Sequence, residues 1–232
     1  MDGGSSRVRR RATGRLAEAC AALGADLLAL QEIECRSVRS GLADQYRAVV
    51  RAVADSTSAP HAHLRPGVFA PATTVGVFGR YGIALICPGG LDHAETVRLP
   101  GRARSERRVA IHATAHLRVG PTSVATTHLS RDRAESADQL CVVLDLLMRR
   151  PPPRVLLGDL NRRPHEVDDL LLAAGLRRVG APPTYPAARP RLAIDVIAVG
   201  GLGCAAVLTP GPGISDHLPV AADLHVSPPD HR

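Results

Sequence analysis

Apolar positions along this chain fall into short runs punctuated by Gly and Pro, with a few stretches at helical spacing. Leu16, Ala19, Cys20 and Leu23 predict a helix from Thr13 that stops at Gly24, behind a polar, Arg-rich tail at residues 1–11. Asp26 to Leu30 predicts a strand ending in the polar pair Gln31-Glu32. Tyr46, Val49, Val50 and Val53 suit a second helix over 44–53. Ser56 to Pro71 reads as loop, and the His61/His63 pair within it, between Pro60 and Pro66, reads as solvated rather than metal-binding. Tyr81 to Cys87 predicts a strand ended by Pro88-Gly89-Gly90.

From Val109 to Leu117 the apolar residues alternate with Ala110, His112, Thr114 and His116, the pattern of a half-buried strand with both histidines toward solvent. Gly120-Pro121 turns the chain into Thr122 to Thr127, which ends at His128. Leu140, Val143, Leu144 and Leu147 form the stripe of the clearest helix, Ala134 to Arg150, stopped by three prolines. A buried strand, Val155 to Leu157, is then broken by Gly158 and followed by Asp159 and Asn161. Pro164 to Ala174 predicts a helix with Asp168-Asp169 on its solvated face. Residues 181–191 are a Pro-rich loop around Tyr185. Leu192 to Val199 and Ala205 to Leu208 are strands, Gly211 to Gly213 a turn, Ser215-Asp216-His217 a loop, and Leu218 to Val226 the last strand. Many strands with few helices between them predict two packed sheets with helices outside, in one domain over 12–226 with a second tail at 227–232.

Aromatic content is only 2%, so the core must be Leu, Val, Ile and Ala. The net charge is +7, and every basic residue is Arg, which favours an anionic substrate but also reflects a general composition bias. Base-stacking aromatics are nearly missing. Five scattered cysteines without a CxxC pair imply buried thiols rather than disulfides or a zinc site. Neither a membrane-spanning run nor a signal-peptide pattern is visible, so a cytoplasmic monomer is expected.

The candidate chemistry sits at strand ends. Asp159 and Asn161, two residues apart, suit a hard cation, an oriented water or a phosphoryl oxygen, although an Asx-turn is the plainer reading. Asp195 is an acid inside an apolar strand and needs a partner, for which a histidine is suitable. Carboxylates without cysteine point to Mg²⁺ or Mn²⁺.

Taken in order, Leu30-Gln31-Glu32, Thr127-His128-Leu129, Gly158-Asp159-Leu160-Asn161, Ile194-Asp195-Val196-Ile197 and Ser215-Asp216-His217 resemble the motifs of the endonuclease/exonuclease/phosphatase superfamily, also called DNase-I-like. Tyr81 to Leu85 is similar to that family's middle strand. The resemblance implies a four-layer α/β sandwich, two mixed β-sheets flanked by helices, and a divalent-metal-dependent phosphoesterase. It implies Glu32 and Asp216 as metal ligands. Asp159 and Asn161 would orient water and hold phosphoryl oxygens, His217 paired with Asp195 would be base or phosphate clamp, and His128 would bind phosphate or protonate the leaving group. The substrate would be a small phosphoester, a phospholipid headgroup or nucleic acid. One departure stands out. The family begins with a strand carrying an Asn, whereas Asn161 is the sole asparagine here and no apolar strand precedes the first helix. The expectation is a fold lacking the first family strand, through an upstream true start or a degraded copy. The alternative function is a catalytically weak relative that binds phosphorylated ligands or a protein partner.

Overall fold

The computed structural model describes residues 3–56, 65–180, 182–210 and 215–226. The His61/His63 pair, the Gly211 to Gly213 turn and the 227–232 tail lie outside the described residues. Helix α1 runs Gly3–Ala22, so the Arg-rich segment expected as a tail is helical from residue 3. Arg is a good helix former, and no proline interrupts the stretch. Strand β1 (Leu28–Cys35) follows, then α2 (Gln45–Asp55), whose first turn is capped by the Asp44 carboxylate accepting from the Arg47 N–H.

Residues 65–75 correct the expected loop. They form strand β2 (Arg65–Val75), despite two prolines, because β2 pairs only with β3 (Gly79–Arg98) and sits at a sheet edge. Strand β3 does not stop at Pro88-Gly89-Gly90. Its first half pairs with β1 and β2, and its second half, from Leu91, pairs with β4 (Val109–Leu117). The bend needs glycine: a Cβ on Gly89 would lie 2.0 Å from the His116 carbonyl oxygen. One continuous strand thus passes from the first sheet layer into the second.

Strands β4 and β5 (Gly120–His128) form the expected hairpin. Helix α3 (Arg133–Met148) then crosses over to β6 (Arg154–Asp159), which lies parallel to β5. A single 3-10 turn, Pro164–Glu166, precedes the short α4 (Asp168–Ala173), and Asp168 pairs with Arg178 at 2.9 Å instead of only facing water. Strand β7 (Arg177–Arg178) ends the sheet beside β8 (Asp195–Gly200), and β9 (Leu202–Leu208) and β10 (Ala221–Val226) make a separate ribbon.

Alternation along each strand separates the layers. Leu85, Ile111, Val124, Val155 and Ile197 point between the two sheet layers. Their neighbours Ala110, Ala125, Leu156 and Val196 pack under Leu140, Val143, Leu144 and Leu147 of α3. On the opposite side Leu28 and Ile86 pack beneath Ala17 and Cys20 of α1 and Val49 and Val53 of α2. The result is the four-layer sandwich, helices outside and two sheet layers within, the parallel β5–β6 pair making one of them mixed. Because α3 covers the outer face of β4, His112 is buried rather than solvent-facing; burial, then Arg150, lowers its pKa.

Candidate active site

The site begins with strand register. His128 stands opposite Asp159 across β5 and β6, and Asp159 stands opposite Asp195 across β6 and β8. Paired positions point to one face, so these three side chains form a row at the end of three adjacent strands, on the face between the sheet layers. Gly158 makes the row possible. It stays within β6 at φ 149°, and a Cβ there would meet the Thr127 carbonyl oxygen at 2.1 Å.

Asp159 is buried and its carboxylate lies 3.4 Å from Nε2 of His128. Its other oxygen accepts the Asn161 N–H at 2.8 Å, the Asx-turn that the sequence allows. Asn161 is in the left-handed region at φ 52°, and its side-chain amide donates to the Leu129 carbonyl at 2.9 Å. Burial, then the neighbouring Asp195 charge, pushes the Asp159 pKa up to about 6. His128 moves the other way, down to about 3, through burial and then the positive charges of Arg108, His217 and Arg131. It is therefore a neutral imidazole at physiological pH.

Asp195 has two partners. Nδ1 of His217 lies 2.9 Å from its Oδ2, and the buried Thr184 hydroxyl donates to the same oxygen. Burial opposes charge on His217, but the Asp195 hydrogen bond and the charges of Asp195, Asp159 and Asp216 outweigh it and raise its pKa. The loop that carries His217 is held by the Pro-rich segment. The Leu218 N–H donates to the Thr184 carbonyl at 2.9 Å, and the Ala187 N–H donates to the Asp216 carbonyl at 2.6 Å. The Tyr185 ring lies 4.6 Å from the His217 ring.

Asp159, Asp195 and His217 each offer a ligand atom within 4.8 Å of the others. Glu32 and Asp216 stand outside this group. Glu32 is exposed and is not at a strand end: β1 continues past it, with a bulge between Leu30 and Ile33 that places Glu32 at φ 57°. Its carboxylate accepts from the Tyr81 hydroxyl, and Tyr81 lies within electrostatic reach of Arg108, which also bears on His128 and Asp159. Asp216 is exposed beside Ser215.

Sequence reasoning missed two residues that tune the site. Arg108 is buried, pairs with Glu106 at 3.0 Å, and carries no recognisable motif in a chain where every cation is Arg. Thr184 is fully buried in the Pro-rich loop, and only the unmet valences of Asp195 hinted at such a donor. A cavity of about 280 Å³ opens beside His217 and Asn161, lined by Arg131, Arg133, Arg163, Glu166 and Tyr185.

These layers, with acids and imidazoles gathered where the inner strands end, are those of the DNase-I-like α/β sandwich. Residues 3–217 match the Endonuclease/Exonuclease/phosphatase family, and the chain belongs to that family. The human Nocturnin catalytic domain, solved with a bound sulfate, is 21% identical, with a TM-score of 0.68 over 94% of this chain and 87% of that one. A humanised D. rerio TDP2 is 18% identical at a TM-score of 0.66, over 97% and 94% of the two chains. A Bacteroides thetaiotaomicron mannosyl-6-phosphatase is 12% identical at 0.67, over 96% and 95%. At these identities the likeness is one of fold. Among curated proteins, none is significantly similar in sequence. Among the described residues no helix is long and apolar enough to cross a membrane.

Proposed function

We propose that this protein is a divalent-metal-dependent phosphoester hydrolase. The observation that carries the reading is the His128–Asp159–Asp195 row with His217 joined to its end. Two carboxylates, Asp159 and Asp195, face each other across adjacent strands, and a hard cation takes an oxygen donor such as Asp159. Asp159, with Glu32 and Asp216 from the rim, would hold Mg²⁺ or Mn²⁺. The cation, when bound, would neutralise charge that builds on the phosphoryl oxygens.

The remaining steps belong to the chain's own groups. Asp195 holds His217 in one orientation and raises its proton affinity, so His217 can take a proton from attacking water or clamp a phosphoryl oxygen. The backbone and side chain of Asn161 hold the Asp159 carboxylate and its loop in place, orienting water for in-line attack. His128, kept neutral by burial and Arg108, suits a hydrogen bond to a phosphoryl oxygen better than protonation of a leaving group. The neighbour named as a mannosyl-6-phosphatase supports the general chemistry, and the substrate classes remain small phosphoesters, phospholipid headgroups and nucleic acid.

Hydrolysis of p-nitrophenyl phosphate and bis(p-nitrophenyl) phosphate tests the reading. Turnover should require Mg²⁺ or Mn²⁺, vanish with chelator and return when metal is restored. A second reading, a weakly catalytic binder of phosphorylated ligands, is favoured by the position of Glu32 outside the central group. Tight binding of phosphorylated compounds without metal-dependent turnover would select it.

A further inference from the structure

The cavity beside His217 contains more positive charge than one scissile phosphate needs. Arg131, Arg133 and Arg163 line it, with Glu166 as the one acid. Glu166 is already engaged: it pairs with the Arg133 guanidinium at 2.8 Å and accepts the Arg163 N–H at 2.7 Å. Among the described residues, the guanidinium groups of Arg131 and Arg163 have no protein partner. The walls are braced. Arg162 donates to the Arg133 carbonyl at 2.7 Å and to the Ser136 hydroxyl at 3.2 Å, tying the segment after Asn161 to the start of α3.

Guanidinium groups are the preferred side chains for phosphate because they donate in a planar fork. Two such groups without partners, beside His217 and Asn161 but outside the carboxylate row, mark a place for a second anion. We propose that this cavity is a second phosphate subsite, and that the substrate is a small molecule with a second phosphate beside the one hydrolysed. The inference rests on the phosphoesterase reading for which phosphate is cleaved, but not for the binding itself. Size favours a small molecule: about 280 Å³ is just under the roughly 300 Å³ at which small-ligand sites begin. A polynucleotide would need stacking surfaces, and Tyr185, the one Phe, Tyr or Trp ring lining the cavity among the described residues, already lies against His217.

Fructose 1,6-bisphosphate and fructose 6-phosphate serve as probes, titrated by calorimetry into the metal-free protein. The bisphosphate should bind about tenfold tighter or better, as expected for charge-assisted hydrogen bonds to a phosphate. The Arg131→Ala/Arg163→Ala double variant should bring the two sugars to within about twofold of each other. Both arginines are exposed, so the variant should melt with the parent protein. Arg131 also bears on His128, so the ratio between the sugars is the quantity to read, not either affinity alone. Equal affinities in the parent protein, or a preference unchanged in the variant, would overturn the subsite. A preference seen only with a 5′-phosphorylated oligonucleotide would overturn the small-molecule assignment. The p-nitrophenyl assays are run in parallel. Absent turnover with an intact bisphosphate preference sinks the hydrolase reading alone; turnover without the preference sinks the subsite alone.

Discussion

At the residue scale, Asp195 acts through other groups. Its Oδ2 is shared by the Thr184 hydroxyl and His217 Nδ1, so little of that oxygen is left for substrate or cation. On the proposed reading its work is to orient the imidazole. His217→Ala and Asp159→Asn should each lower kcat/KM by about 10²–10⁴-fold, the range for losing an acid–base or electrostatic group. Asp195→Asn should also be impaired, but adding it to His217→Ala should change little, because both remove the same interaction. Steady-state kinetics of the three variants and the double variant check this, and full additivity would show that the two residues act separately.

At the element scale, the approach of β5 to β6 sets the row. Gly158→Ala places a methyl group against the Thr127 carbonyl, which the parallel ladder cannot move without breaking register. Thermal unfolding should show a loss of at least about 1–3 kcal/mol, the usual range for forced overpacking. The segment between β3 and β4, which carries Arg108, depends on another contact. Glu135 at the start of α3 is held down to about pKa 2 by hydrogen bonds from the Ser130 hydroxyl, the Arg102 N–H and the Ser105 hydroxyl. Its ionised form is the one the folded state favours. The stability it contributes is therefore complete above its ordinary value of 4.5 and is lost as pH falls toward about 2. Melting curves across that window should show a steeper acid decline for the parent protein than for Glu135→Gln, which should be less stable at neutral pH.

At the scale of the whole molecule, the two sheet layers and the His217 loop must come together before a cation has its donors. Metal binding should then stabilise the folded chain by mass action. Mn²⁺ or Mg²⁺ at millimolar concentration should raise the melting temperature of the parent protein, and much less that of Asp159→Asn. An equal rise in both would place the metal away from Asp159. This readout does not depend on turnover.

Local pattern alone determined a good deal. The alternation over Val109 to Leu117 and the stripe of α3 follow from side-chain periods of two and 3.6, which require no knowledge of neighbours. The polar strand ends at His128 and Asp159, and the isolated acid Asp195, were visible for the same reason: a polar group beside an apolar run is anomalous in one dimension. Tertiary structure decided the rest. Strand β2 contains prolines that only an edge position tolerates, and whether a strand lies at an edge depends on its partners. Strand β3 needs Gly89 because the backbone of β4 approaches it closely there. His112 is buried because α3 lies over it, though alternation alone placed it toward water. Glu32 lies within β1 rather than at its end because the strand resumes its pairing with β3 past a bulge between Leu30 and Ile33. Arg131 and Arg163, thirty-two positions apart, carry no sequence mark that sets them apart from the other arginines, and only the fold brings them to one cavity. Each of these outcomes depends on contacts between segments distant in sequence, and a local period carries no information about them.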